Sequence, residues 1–150
     1  MIMDTLTIYT DGASRGNPGP AAAAAIFYRG GKLINKKSAL LGEKTNNQAE
    51  YEALIMALRE AKKILASYSP SRSGKARAVS CFLDSELVVR QLNHKYKIKD
   101  EKIVPLFIKV WNLSLDFDVV KFSHIPREKN READDLANRL LDEKKRGGLL

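Results

Sequence analysis

Residues 7 to 20 constrain this chain more than any other stretch. They read Thr7-Ile8-Tyr9-Thr10-Asp11-Gly12-Ala13-Ser14-Arg15-Gly16-Asn17-Pro18-Gly19-Pro20. The segment TLTIYT predicts a strand over residues 5–10, followed by a loop with three glycines and two prolines within nine residues. One carboxylate, Asp11, stands at the junction, on the strand face of Thr7 and Tyr9 and opposite Leu6 and Ile8. A carboxylate where a rigid strand meets a Gly-rich loop is well placed for chemistry, because the loop lets a substrate backbone approach closely. A turn-initiating aspartate would look the same. Whether other isolated carboxylates occupy comparable places decides between the two.

The remaining elements can be read in order. AAAAAIFY and KLINKKSALL are strand-like runs joined by Arg29-Gly30-Gly31, a hairpin signal. A helix is predicted over about 46–66, with Ala53, Leu54, Ala57, Leu58, Ala61, Ile64 and Leu65 on one stripe and Thr45 or Asn46 as N-cap. A polar Ser/Gly/Pro-rich loop spans 67–77, and the strand AVSCFL ends at Asp84. Short helices at 86–93 and 102–115, the latter with Pro105 in its first turn, precede a strand over 117–124 and a last helix over 131–145. This order predicts one α/β domain over residues 1–145, a mixed sheet with helices packed on it, and a flexible tail over 146–150.

Three further acids resemble Asp11 in placement. Glu50 heads the apolar stripe 50-53-54-57-58-61 rather than the polar face of its helix. The helix dipole explains an acid near the N-terminus, but not one on the buried stripe, where a charge needs partners or a metal. Asp84 ends a strand, where it could equally cap the following helix. Asp134 lies in the first turn of the last helix, in line with Ala137 and Leu141, while its neighbour Asp135 faces the wet side. An all-oxygen cluster suits a hard cation, Mg²⁺ or Mn²⁺ before Zn²⁺.

Composition bears on the partner without deciding it alone. The net charge of +8 favours a polyanion such as nucleic acid, with solubility alone as the competing reading. No apolar run approaches the ~20 residues of a membrane span, and the N-terminus lacks a signal-peptide pattern, which predicts a cytoplasmic protein. The single cysteine, Cys81, is expected to be a small buried apolar residue. In a basic chain, clustered acids point to phosphodiester chemistry assisted by two metals.

YTDGASRGNPGPA, TNNQAEYEAL, FLDSELVV and HIPREKNREADDLA, in that order, resemble type 1 ribonuclease H, the enzyme that cuts RNA in RNA–DNA hybrids. The resemblance runs from residue 7 to about 141 and is closer to the archaeal form without a long basic protrusion. It implies a ribonuclease H-like fold, a five-stranded mixed sheet of order 3-2-1-4-5 flanked by helices. It implies two Mg²⁺ ions, replaceable by Mn²⁺, on Asp11, Glu50, Asp84 and Asp134, and cleavage leaving 5′-phosphate and 3′-hydroxyl ends. His124 matches the family's loop histidine, thought to move protons or assist product release, against a structural histidine at a strand end. Gly12, Asn17, Asn46 and Asn47 match positions near the hybrid's sugars and bases, and Thr45 matches the phosphate pocket of the DNA strand. Arg15, Lys95, Lys97, Lys99, Arg127 and Lys129 are candidates for backbone contacts.

Two departures bear on substrate. Glu86 stands where the family often has Gln, and only Asn93 to Lys99 occupies the region of the protrusion. A short handle makes double-stranded RNA a second candidate substrate. Two alternatives keep the fold, a catalytically silent hybrid-binding module and a nuclease of the transposase or resolvase type. The loop GASRGNPG fits neither common nucleotide-binding signature. A monomer is the default expectation.

Overall fold

The computed structural model describes residues 5–68 and 76–147. Its sheet is built from β1 (Thr5–Ser14), β2 (Gly19–Arg29), β3 (Lys32–Lys44), β4 (Ala76–Leu83) and β5 (Phe117–His124). The helices are α1 (Asn46–Ala66), α2 (Glu86–Leu92), α3 (Val104–Ser114) and α4 (Arg131–Arg146), with a 3₁₀ turn at Arg127–Lys129. The strand order is β3-β2-β1-β4-β5, as the sequence motifs imply. β2 pairs antiparallel with β1 and β3, while β4 runs parallel to β1 and β5.

The two sheet faces carry different cores. Leu6 and Ile8 enter a large cluster with Leu54, Leu58, Ala61 and Leu65 of α1 and Val110 of α3. On the other face Ala22, Ala24 and Ile26 of β2 meet Ala133, Ala137 and Leu141 of α4. The alanine run is therefore a strand, buried on both sides, and its small side chains let both helix layers lie close to the sheet. Cys81 is buried in the larger cluster, which pushes its thiol up to about 12.

One boundary differs from the sequence reading in a way that matters. β1 does not stop at Thr10; it continues through Asp11 to Ser14, paired with Ala24 down to Ala21. The small residues Gly12, Ala13 and Ser14 match the alanines opposite, so pairing persists where glycine suggested a loop. Asp11 is thus held inside a ladder rather than at a frayed end. The expected polar loop falls mostly on 69–75, outside the described residues. Arg146 is the last residue of α4, one position beyond the expected domain boundary.

Thr45 caps α1 through a capping box, its hydroxyl accepting from Gln48 N–H and the Gln48 side chain accepting from Thr45 N–H. This fixes the start of α1 one turn before Glu50.

Candidate active site

Gly12 sets the position of Glu50. A Cβ on Gly12 would fall 2.1 Å from the carbonyl carbon of Ala49 and 2.4 Å from the nitrogen of Glu50. α1 therefore rests directly on the backbone of β1, a contact that only glycine permits. The Gly12 N–H faces the Glu50 carboxyl, and the Asp11 and Glu50 carboxyls lie within hydrogen-bond reach of each other.

Asp84 completes the inner set. It follows the last residue of β4, and the adjacent parallel strand β1 brings Asp11 alongside. Ser85, not Asp84, caps α2, accepting from Val88 N–H at 3.3 Å. This settles the competing reading of Asp84 as the cap and leaves its carboxylate for the site. Ligand oxygens of Asp11, Glu50 and Asp84 all lie within 4.8 Å of one another.

The Asp134 carboxyl faces Asp11 from the first turn of α4, but lies outside the 4.8 Å group. Asn138, one turn on, donates to Asp134 Oδ1 at 3.1 Å and orients it. All four acids line one open cavity of about 540 Å³, together with Gly12, Asn46, Asn47, Ser85 and Arg127.

The electrostatics are those of acids forced together. Burial, then the charges of Glu50 and Asp84, push the Asp11 carboxyl up to about 11. Burial also raises Glu50, to about 7, with partial relief from its bonds to Asp11 and Gly12 and from the Arg127 charge. Glu50 Oε2 is buried without a hydrogen-bond partner. A half-satisfied buried carboxylate beside two others is costly by itself and becomes favourable with a divalent cation among them. The donor set is all oxygen, which suits Mg²⁺ or Mn²⁺. The residues fit such an ion.

Other expected residues divide into groups. Asn17 Oδ1 accepts from Asn46 N–H at 3.0 Å, tying the Gly/Pro loop to the start of α1 beside the acids. Lys95, Lys97 and Lys99 line a separate cavity of about 550 Å³ with Leu87, Gln91 and Tyr96; Asn47 lines both cavities and joins them. Arg15 is engaged by α4, paired with Asp142 at 2.7 Å and donating to the Asn138 carbonyl at 3.2 Å. Glu86 is paired with Arg90 at 2.6 Å, so its charge is answered within α2. His124 is exposed at the end of β5, in register with Leu83, the residue before Asp84, and does not line the acid cavity.

Sequence reasoning passed over Asn130 as part of a loop. It is 1 % exposed and its side chain contacts Asp84. An asparagine immediately before a helix start was the available signal, but it points to an ordinary cap. The side chain makes no cap bond and turns inward instead.

The profile of a family described as reverse transcriptase-like matches residues 9–140, which defines the class of domain. The chain is 38% identical to ribonuclease HI of Halobacterium salinarum over 136 residues, 90% of this chain and 63% of that protein. It is 32% identical to a ribonuclease H of Dechloromonas aromatica, covering 95% of this chain and 97% of that one. It superposes with a TM-score of 0.83 on LC11-RNase H1, solved in complex with an RNA/DNA hybrid, at 38% identity over 92% of this chain and 97% of that one. The chain belongs to the ribonuclease H family. It spans about a third of the length of the mycobacterial relatives it matches at 32% identity.

Proposed function

We propose that the protein is an endoribonuclease that hydrolyses the RNA strand of RNA–DNA hybrids. The observation that carries this reading is the group of three carboxylates within 4.8 Å, with a buried, unpartnered Glu50 oxygen, in a chain of net charge +8. A basic protein that gathers acids at one point attracts a polyanion and holds cations where its backbone is cut.

Asp11 with Asp134 would hold one divalent cation, and Asp11 with Glu50 and Asp84 a second. When bound, such ions lower the pKa of an attacking water and offset charge developing on the phosphate. The chain's own residues do the rest. Asp11 and Glu50 must give up the protons that burial favours before they ligate, so the site loads more readily as pH rises. Asn46, Asn47 and the Gly12 backbone line the cavity and are the groups that would read the 2′-hydroxyls of the RNA strand. Thr45 and Arg127 stand beside them for phosphates, and Lys97 with its neighbours carries the duplex past α2. His124, exposed on the strand adjoining Asp84, would exchange protons with solvent as products leave. The products would carry 5′-phosphate and 3′-hydroxyl ends.

The test is cleavage of matched RNA–DNA, RNA–RNA and DNA–DNA duplexes with Mg²⁺, Mn²⁺ or EDTA, beside Asp11→Asn. Metal-dependent cutting of the RNA strand of the hybrid, lost in the variant, is expected. Binding without cutting would make the domain a hybrid-binding module, and cutting of DNA alone would move it to recombinase chemistry. The RNA–RNA duplex decides the second candidate substrate.

A further inference from the structure

One neutral side chain bridges the Asp84 carboxylate and the strand that carries Asp11. Asn130 Nδ2 donates to the Thr10 carbonyl at 2.8 Å and to Asp84 Oδ2 at 3.1 Å. The Thr10 carbonyl shares a rigid peptide plane with the Asp11 N–H, so this bond also fixes the plane from which Asp11 springs. The Asn130 carbonyl oxygen accepts from the Asp134 N–H at 3.1 Å, and its N–H donates to the Arg127 carbonyl at 2.9 Å. One buried residue thus touches β1, the end of β4, the 3₁₀ turn and the first turn of α4.

The amide orientation follows from its neighbours. Both groups facing the nitrogen are pure acceptors, so only the NH₂ end can satisfy them. The opposite atom, Asn130 Oδ1, is buried with no partner. An asparagine at a helix start ordinarily aims its oxygen at the helix N–H groups. Here that bond is forgone, and the side chain is spent on Asp84 and the Thr10 carbonyl.

We infer that Asn130 is a positioning residue whose side chain holds Asp84 against the Thr10–Asp11 peptide of β1, keeping the acids in a geometry that binds divalent cations. The inference rests on the metal-dependent reading above. A neutral donor is required at this point: it fixes two carboxylate-bearing segments without adding a charge that would compete with a cation. Aspartate has nearly the same shape but no N–H to offer, and would turn an oxygen on Asp84. Serine offers a single donor that cannot reach both acceptors.

The experiment uses Asn130→Asp and Asn130→Ser, each checked for a cooperative melt, with two readouts. Mn²⁺ binding is measured by calorimetry without nucleic acid, and kcat and KM are measured on the hybrid. Loss of an outer partner of a metal ligand typically weakens metal affinity about 10–100-fold. That loss of Mn²⁺ affinity is expected in Asn130→Asp, with a smaller loss in Asn130→Ser. A fall in kcat with KM within about twofold is expected beside it. Wild-type Mn²⁺ affinity in either folded variant overturns the inference, because a role limited to filling space is met by aspartate. A change in KM alone overturns it in favour of a substrate contact. If Asn130→Asp does not fold, Asn130→Ser decides by the same criteria. Wild-type protein that binds Mn²⁺ yet cuts no hybrid would sink the ribonuclease reading while the Mn²⁺ comparison still decides the role of Asn130.

Discussion

Gly12 and Ala49 are in main-chain contact: a methyl on the former would lie 2.1 Å from the carbonyl carbon of the latter. The strand holding Asp11 and the helix holding Glu50 are therefore separated by nothing but backbone. Gly12→Ala cannot be absorbed by a side-chain rotation, so α1 must move. Overpacking of this kind costs about 1–3 kcal/mol. The expected outcome is a lowered melting temperature with a loss of hybrid cleavage far larger than the stability change explains. Unimpaired cleavage in the folded variant would show that the approach of α1 to β1 does not set the site.

The acid pair gives the metal-free protein a distinctive pH dependence. Asp11 rises from 3.8 to about 11 and Glu50 from 4.5 to about 7, so the folded state binds more protons than the unfolded state. Their contribution to stability is complete below about pH 4. It is lost as pH rises, through about 7 for Glu50 and on toward 11 for Asp11. Thermal melts in EDTA should show this decline, and added Mg²⁺ should raise the melting temperature more at pH 9 than at pH 6. An equal metal effect at both pH values would contradict the assignment.

Asp11→Asn mimics the protonated form that the metal-free fold prefers. The variant should therefore be more stable than wild type in EDTA at pH 8, by about 1 kcal/mol or more, since each pKa unit is worth about 1.4 kcal/mol. The advantage should vanish near pH 4, where both proteins carry a neutral group. Added Mg²⁺ should reverse the order. Chemical denaturation at the two pH values provides the comparison, and a variant less stable than wild type in EDTA at pH 8 would refute it.

Glu86 and Arg90 form a test of charge near the substrate. Their ion pair sits on α2, between Ser85 of the acid cavity and Gln91 of the lysine-lined one. Arg90→Ala should weaken hybrid binding several-fold at low salt by leaving the Glu86 charge unanswered. Adding Glu86→Gln should restore it. Binding titrations at two salt concentrations would check both, and failure of Glu86→Gln to restore binding would mean that the Glu86 charge is not what Arg90 answers.

How much of this was legible beforehand depended on whether a residue's role was written in periodicity or in contact. Glu50 was readable because it broke the polarity of an otherwise apolar stripe, and Asp134 because it lined up with Ala137 and Leu141. The end of β1 was misread because glycine signals a break. Here it served close packing, which only the helix opposite reveals. Asn130 was invisible for a related reason. Its partners lie 120 and 46 positions away in the chain, so no local pattern records them. Arg15 was legible as a cation but not as one already held by Asp142.

The alanines of β2 have a consequence for how such a site can change. Ala24 is paired with Asp11, and with Ala22 it forms the floor on which Ala133 and Ala137 of α4 rest. These methyl groups act as shims. Their thickness sets how near α4 brings Asp134 to the other acids, though none of them lines the acid cavity. The spacing of the acids is thus adjustable by a carbon atom or two in the least reactive residues of the chain. An inventory of the charged groups alone would miss where its tolerances are kept.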